Sequence, residues 1–256
     1  MKILLISGHG NGDSGACATI KGVTYKESAE TITMVKMIEK ALKKYADVDL
    51  YPTERNAYKD IKNGCLKVDF KKYDYVLEVH FNACVNDLKG NGKTTGTEIY
   101  VPKSDNSTEV EKAIVDAISK FGLKTRGVHK YNWTVITKAH NAGVQSALLE
   151  VCFVDDADDM KIYTAKKEEI AQAIANALIS GYKLKAGKAK SKTNTTFKVK
   201  CLDNLNVRKS PNGDIVIPNG ALKGTVYTIV ATSGNWGKLK SGAGWISISS
   251  KYVKRV

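Results

Sequence analysis

The chain has 256 residues, 43% apolar and 26% charged, a balance that suits one sizeable folded domain plus a small one and excludes an intrinsically disordered chain. No apolar run approaches the roughly 20 residues that a membrane span needs, so membrane insertion is not expected. The net charge of +14 is unevenly spread: residues 184–256 hold 14 Lys and Arg against Asp203 and Asp214, whereas residues 1–183 hold 26 basic against 24 acidic side chains, so the C-terminal quarter is the part suited to an anionic polymer.

In chain order, the first predicted element is a strand at Lys2–Ser7. The stretch before Gly8-His9-Gly10 is too short for a secretory hydrophobic region, so a product made without a standard export signal is expected. His9 follows this strand in SGHGNGDSGA, where flanking glycines permit a sharp turn at the strand's carboxyl end. A helix is predicted over Lys26–Tyr45. Thr24-Tyr25-Lys26-Glu27 fits a capping box, which would account for Glu27 without any site. At about 100° per residue, however, Glu27 falls on the stripe formed by Met34, Ile38, Ala41, Leu42 and Tyr45. Glu30 lies roughly 70° off that stripe and is the second choice.

A strand at Val48–Tyr51 and a weaker helix near Ala57–Leu66 come next. The strand Tyr75–His80 then places Glu78, His80 and Asn82 on one face and Leu77, Val79 and Phe81 on the other. His80 can be a ligand, or a half-buried imidazole bonded to a backbone carbonyl. Further strands are predicted at Thr97–Val101, Thr134–Thr137 and Ala147–Phe153, and helices at Glu109–Phe121 and Lys166–Tyr182. Glu150 sits inside the apolar run SALLEVCFV, where an ionised carboxylate is costly unless something meets it. It is readable as an acid–base group or as a structural pair with Arg126.

Strands alternating with amphipathic helices indicate an α/β domain over 1–183. Residues 184–196 are small, polar and basic and read as a linker. Over 197–256, short β-rich runs separated by Pro-Asn-Gly and Ser-Gly turns indicate a small all-β barrel. The five cysteines are scattered without a CxxC pair, which argues against a disulfide framework or a thiolate metal site.

Two histidines and one carboxylate make a zinc tripod with a position left for water. His9, Glu27 and His80 are the candidate ligands, and Glu150 is the candidate general base and proton donor. The segments ILLISGHGNGDSGA, Glu27, VLEVHFNA, Arg126-Gly127 and ALLEVCFVDDADDM, in this order, resemble the zinc-dependent N-acetylmuramoyl-L-alanine amidases over nearly all of residues 1–183. The resemblance implies a twisted mixed sheet sandwiched between helices, one zinc ion held by His9, Glu27 and His80, and Glu150 as the catalytic residue. It also implies hydrolysis of the amide joining the lactyl group of N-acetylmuramic acid to L-alanine.

The chain departs from the family pattern at Glu78, where a small hydroxyl residue is common, and just after Glu150. Glu78, Asn82, Arg126 and His140 are candidate substrate contacts, with Glu78 equally readable as support for a histidine. His129 is a weaker candidate.

Residues 197–256 resemble the bacterial Src-homology-three-like wall-binding domains through Leu205-Asn206-Val207-Arg208, Lys223-Gly224-Thr225, Trp236 and Gly244-Trp245-Ile246. Trp236 and Trp245 are candidate wall contacts, although barrel core is expected for at least one. The combination suggests an endolysin-type enzyme made in the host bacterial cytoplasm and acting on peptidoglycan and anionic wall polymers, with no obligate protein partner. A bacterial autolysin and a zinc peptidase of the stem peptide are alternatives. A nucleic-acid binder is disfavoured, because the basic segment lacks a recognition helix or a stacking face.

Overall fold

The computed structural model describes residues 1–186, 196–211, 213–233 and 235–256, and most of the expected 184–196 linker lies outside them. The chain divides into two units, Met1–Gly187 and Lys188–Val256.

Strand β1 (Lys2–Ser7) sets the first unit. It pairs in parallel with β4 (Asp47–Leu50) and β5 (Tyr75–Asn82). β8 (Gln145–Phe153) joins β5 in parallel, β6 (Thr97–Val101) joins β8 antiparallel, and β7 (Thr125–Lys130) closes the edge, giving the order β4-β1-β5-β8-β6-β7. Alternation along β1 feeds two cores. Ile3 and Leu5 face α1 (Glu27–Leu42), α3 (Glu109–Ser119) and α5 (Ala157–Gly181); Leu4 and Ile6 face α2 (Ala57–Lys62) and α4 (Thr134–Asn141). Burial of each such side chain contributes about 1.5–3 kcal/mol. The result is a mixed sheet between two helical layers. Among the described residues no helix is long and apolar enough to cross a membrane.

Several expectations are corrected. Thr134–Thr137 forms the first turn of α4, because Val135, Ile136 and Ala139 bury against the sheet at helical spacing and override the β-branched preference. The edge position is taken by β7, whose sequence TRGVHK is too exposed to alternate. The capping box does not form: Thr24 lies in β3 (Val23–Lys26), the N-cap is Lys26 without a side-chain bond, and Glu27 is the first helical residue. β3 pairs with β2 (Cys17–Ile20) through Lys21-Gly22, both at positive φ, as a tight two-residue hairpin requires. Helix α5 starts at Ala157, well before Lys166, where the chain instead kinks.

The start of α5 grips the loop between β5 and β6 by its main chain. Asp155 Oδ2 accepts the N–H groups of Cys84, Val85 and Asn86 at 2.8–2.9 Å. Asp158 Oδ2 accepts those of Asn91 and Gly92, Asp156 Oδ2 that of Thr95, and Asp159 that of Gly96.

The second unit is an antiparallel sheet built from β9 (Phe197–Cys201), β10 (Leu205–Arg208), β11 (Ile215–Ala221), β12 (Val226–Ser233), β13 (Trp236–Leu239), β14 (Trp245–Ser247) and β15 (Val253–Arg255). The order is β11-β10-β14-β13-β12-β9-β15, around a core that includes Val199, Val207, Ile229, Leu239 and Ile246. Pro218-Asn219-Gly220 lies inside β11 and bulges out of register with β10, instead of turning between strands. Neither Trp236 nor Trp245 joins the core. Both are half-buried, because Gly237 and Ile246 take the inward positions beside them.

Candidate metal centre

His9 enters from the turn after β1, with its own backbone at φ 64, a left-handed conformation that costs a non-glycine residue about 1 kcal/mol or more. Gly8 donates its N–H to Val79 O and lies flat against His80: a Cβ there would fall 2.3 Å from the ring's Cε1. Outside the ring of His9, Asp13 Oδ2 sits 3.1 Å from Nδ1 and also accepts from Asn56 Nδ2.

Glu27 is delivered by the β2–β3 hairpin to the top of α1 and is 4% exposed. Its Oε1 accepts from His80 Nδ1 at 2.9 Å and from Phe81 N at 3.1 Å. Its Oε2 accepts from Ala16 N at 2.8 Å and faces His9 Nε2 at 3.1 Å. Burial alone would raise this carboxyl, but the hydrogen bonds from His80 and His9 outweigh it and hold the pKa well below the usual carboxylate value. Burial likewise opposes charging His80, yet its bond to Glu27 and the nearby Glu78 carboxylate win and lift it well above an ordinary histidine. The donor atoms of His9, Glu27 and His80 all lie within 4.8 Å of one another. Two imidazole nitrogens and one carboxylate at that spacing fit a zinc ion. Glu30, the second choice, is engaged elsewhere by Tyr163.

Glu150 lies opposite His80 on the neighbouring strand and opposite Glu98 on the other side. Its Oε2 is buried without a partner. Burial is the main cause of its raised pKa; His80 pulls it down, Glu27, Glu98 and Glu78 push it up, and it settles at about 7. Arg126 does not pair with it. Instead Glu98, buried in β6, gathers Asn82 Nδ2 at 2.7 Å, Arg126 Nε at 3.0 Å and His129 Nε2 at 3.1 Å.

Glu98 is absent from the sequence-derived set. Its signal is the same as that of Glu150, a carboxylate inside an apolar strand. Glu78 is buried in β5 with Oε1 3.3 Å from His80 Nε2. A cavity of about 330 Å³ opens beside the histidines, lined among others by Glu78, Asn56, Tyr58, Trp133 and Leu148. His140 is not drawn in: it lies on the last turn of α4, whose first turn lines that cavity.

A family model described as N-acetylmuramoyl-L-alanine amidase matches residues 3–180. An uncharacterised protein of Clostridium perfringens (strain 13 / Type A) is 31% identical over 186 residues, 70% of this chain and 51% of that protein. The chain thus spans about half the length of the curated relatives it matches. Among solved structures, the fold resembles an N-acetylmuramoyl-L-alanine amidase from Clostridium difficile 630, with TM-score 0.55 and 20% identity, covering 71% of this chain and 96% of that one. It also resembles the catalytic domain of an endolysin targeting Clostridia Difficile, with TM-score 0.52 and 23% identity over 70% of this chain and 97% of that one.

Proposed function

Since the chain belongs to the N-acetylmuramoyl-L-alanine amidase family, we propose that its first unit is a zinc-dependent hydrolase of the amide between N-acetylmuramic acid and L-alanine in peptidoglycan. The observation that carries this reading is the convergence of His9, Glu27 and His80 beside the orphaned Oε2 of Glu150. The residues that would hold zinc offer His9 Nε2, a Glu27 oxygen and His80 Nδ1, the atoms that already face one another. A zinc ion bound there supplies Lewis acidity to the scissile carbonyl and to an attacking water.

The protein's own part is proton handling and placement. Glu150 takes a proton from the water as its oxygen bonds to the lactyl carbonyl carbon. It then passes that proton to the alanine nitrogen as the C–N bond breaks. The products are a carboxylic acid, which gives up its remaining proton to solvent or to the amine, and a free amino group. Arg126, Asn82 and His129 are locked by Glu98 on the adjoining strands, where they suit substrate contacts. Tyr58 and Trp133 give the cavity aromatic walls.

The second unit is proposed to bind anionic wall polymers. On its outward face Lys238 lies opposite Trp245, and Arg208 stacks over Trp236. The reading extends to an endolysin-type role, with synthesis in the host cytoplasm and access to the wall after the membrane is breached. It is supported by the coupling of a wall-cleaving unit to a basic one.

Digestion of purified peptidoglycan is expected to release amino groups and no new reducing ends, and zinc chelation to stop it. Reducing ends, or lysis undiminished in excess chelator, overturn the proposal. Cuts within the stem peptide, seen by mass spectrometry, assign a peptidase instead. For the endolysin-type role, expression inside a susceptible bacterium is expected to leave cells intact until the membrane is permeabilised; lysis without permeabilisation counts against it.

A further inference from the structure

We propose that Glu78 is a positioning residue that fixes His80 as a metal ligand and tightens zinc binding, an inference that rests on the metal-centre reading above. His80 turns Nδ1 inward to Glu27 Oε1 at 2.9 Å. For that nitrogen to offer a lone pair to a metal, the ring's proton must sit on Nε2. Nε2 is buried and finds no well-aligned acceptor, and among the described residues Glu78 Oε1, 3.3 Å away, is the carboxylate oxygen paired with it. The contact is at the long end of the hydrogen-bond range. His9 has the same support on its own outer side, from Asp13 Oδ2 at 3.1 Å.

Strand alternation leaves Glu78 little choice, since it stands two residues before His80 on the same face of β5. It is 5% exposed. Among the described residues its carboxylate has no hydrogen-bonding or ionic partner except His80, in contrast with Glu98, which holds three donors. A carboxylate buried at such cost beside a single partner acts through that partner. It pins the ring plane, keeps the proton on Nε2 and raises the basicity of Nδ1.

The full chain, stripped of metal, is titrated with zinc against a chromophoric chelator, and the cobalt(II) absorption spectrum is recorded beside it. Glu78→Gln keeps an acceptor but loses the charge and is expected to weaken zinc binding about 10-fold; Glu78→Ala loses both and is expected to weaken it up to about 100-fold. The cobalt bands shift in both, and Glu78→Asp recovers part of the affinity. If Glu78→Ala does not fold, the near-isosteric Glu78→Gln carries the comparison. Variants with wild-type zinc affinity but a raised KM on wall fragments overturn the proposal and make Glu78 a substrate contact. A wild-type chain that takes up no zinc overturns the metal-centre reading as well, so the two failures are told apart.

Discussion

Gly8 and Gly15 leave the metal centre no room for larger side chains. A Cβ at Gly15 would fall 2.6 Å from Glu27 Oε2 and 2.7 Å from the His9 ring, on a backbone at φ 63. Gly15→Ala is therefore expected to weaken zinc binding at least ~10-fold while costing only about 1 kcal/mol through its backbone; zinc titration and a denaturant melt of the stripped protein separate the two. Unaltered zinc affinity would show that the loop yields freely. Glu150→Gln keeps the shape but removes the proton carrier. It is expected to lower kcat by about 10²–10⁴-fold with zinc uptake preserved, and an active variant would remove Glu150 from the mechanism. His9, His80 and Glu150 are legible in the sequence because strand ends and buried runs mark them one at a time. Glu27 is legible only through helix phase, and for the right reason: it is buried on the same face as Met34, Ile38 and Leu42. Glu98 carries the same buried-run signal as Glu150, but its role does not show in the sequence, since its partners come from β5 and β7, elements that meet only in the folded sheet.

Helix α3 is anchored by a buried acid far from any site chemistry. Glu111 is fully buried, accepts a bond from Tyr75 and has an orphaned Oε2. Burial is the chief reason its pKa is raised to about 7; the Tyr75 bond opposes this and Asp105 and Glu109 add to it. Because the folded value lies above the ordinary 4.5, the folded state keeps its proton where the unfolded chain has lost it. Stability from this group is thus retained below about pH 4.5 and lost as pH rises toward 7, by about 3 kcal/mol at most. Glu111→Gln is expected to gain little at pH 4 and about 2–3 kcal/mol at pH 8 by denaturant unfolding. An equal gain at both pH values would mean that the carboxyl does not titrate this way. The elements read from sequence were those with strong periodicity. The misread ones were decided by tertiary contacts, such as the β-branched Thr134–Thr137, folded into a helix by the core that Val135 and Ala139 enter.

Across the whole chain, the excess positive charge lies in the second unit and the candidate metal centre in the first. Binding of the full chain to intact walls is expected to fall steeply with added salt and to weaken in the double variant Arg208→Ala, Trp236→Ala, with hydrolysis of soluble wall fragments unchanged. Sedimentation with walls from 0.05 to 0.5 M salt measures it; salt-independent binding, or capture by duplex DNA in preference to walls, would count against the proposed role of the second unit. The aspartates that open α5 have a consequence for the loop between β5 and β6. Every donor they hold is a peptide N–H, apart from the added hydroxyl of Thr95. The glycines are the committed positions: a Cβ at Gly96 would meet Lys124 O, one at Gly90 would fall 3.2 Å from Asp158 Oδ2, and both, like Gly92, sit at positive φ. Apart from those glycines the attachment is indifferent to side chain, so residues such as Val85, Leu88 and Lys93 can be exchanged without loosening the loop's hold on the start of α5.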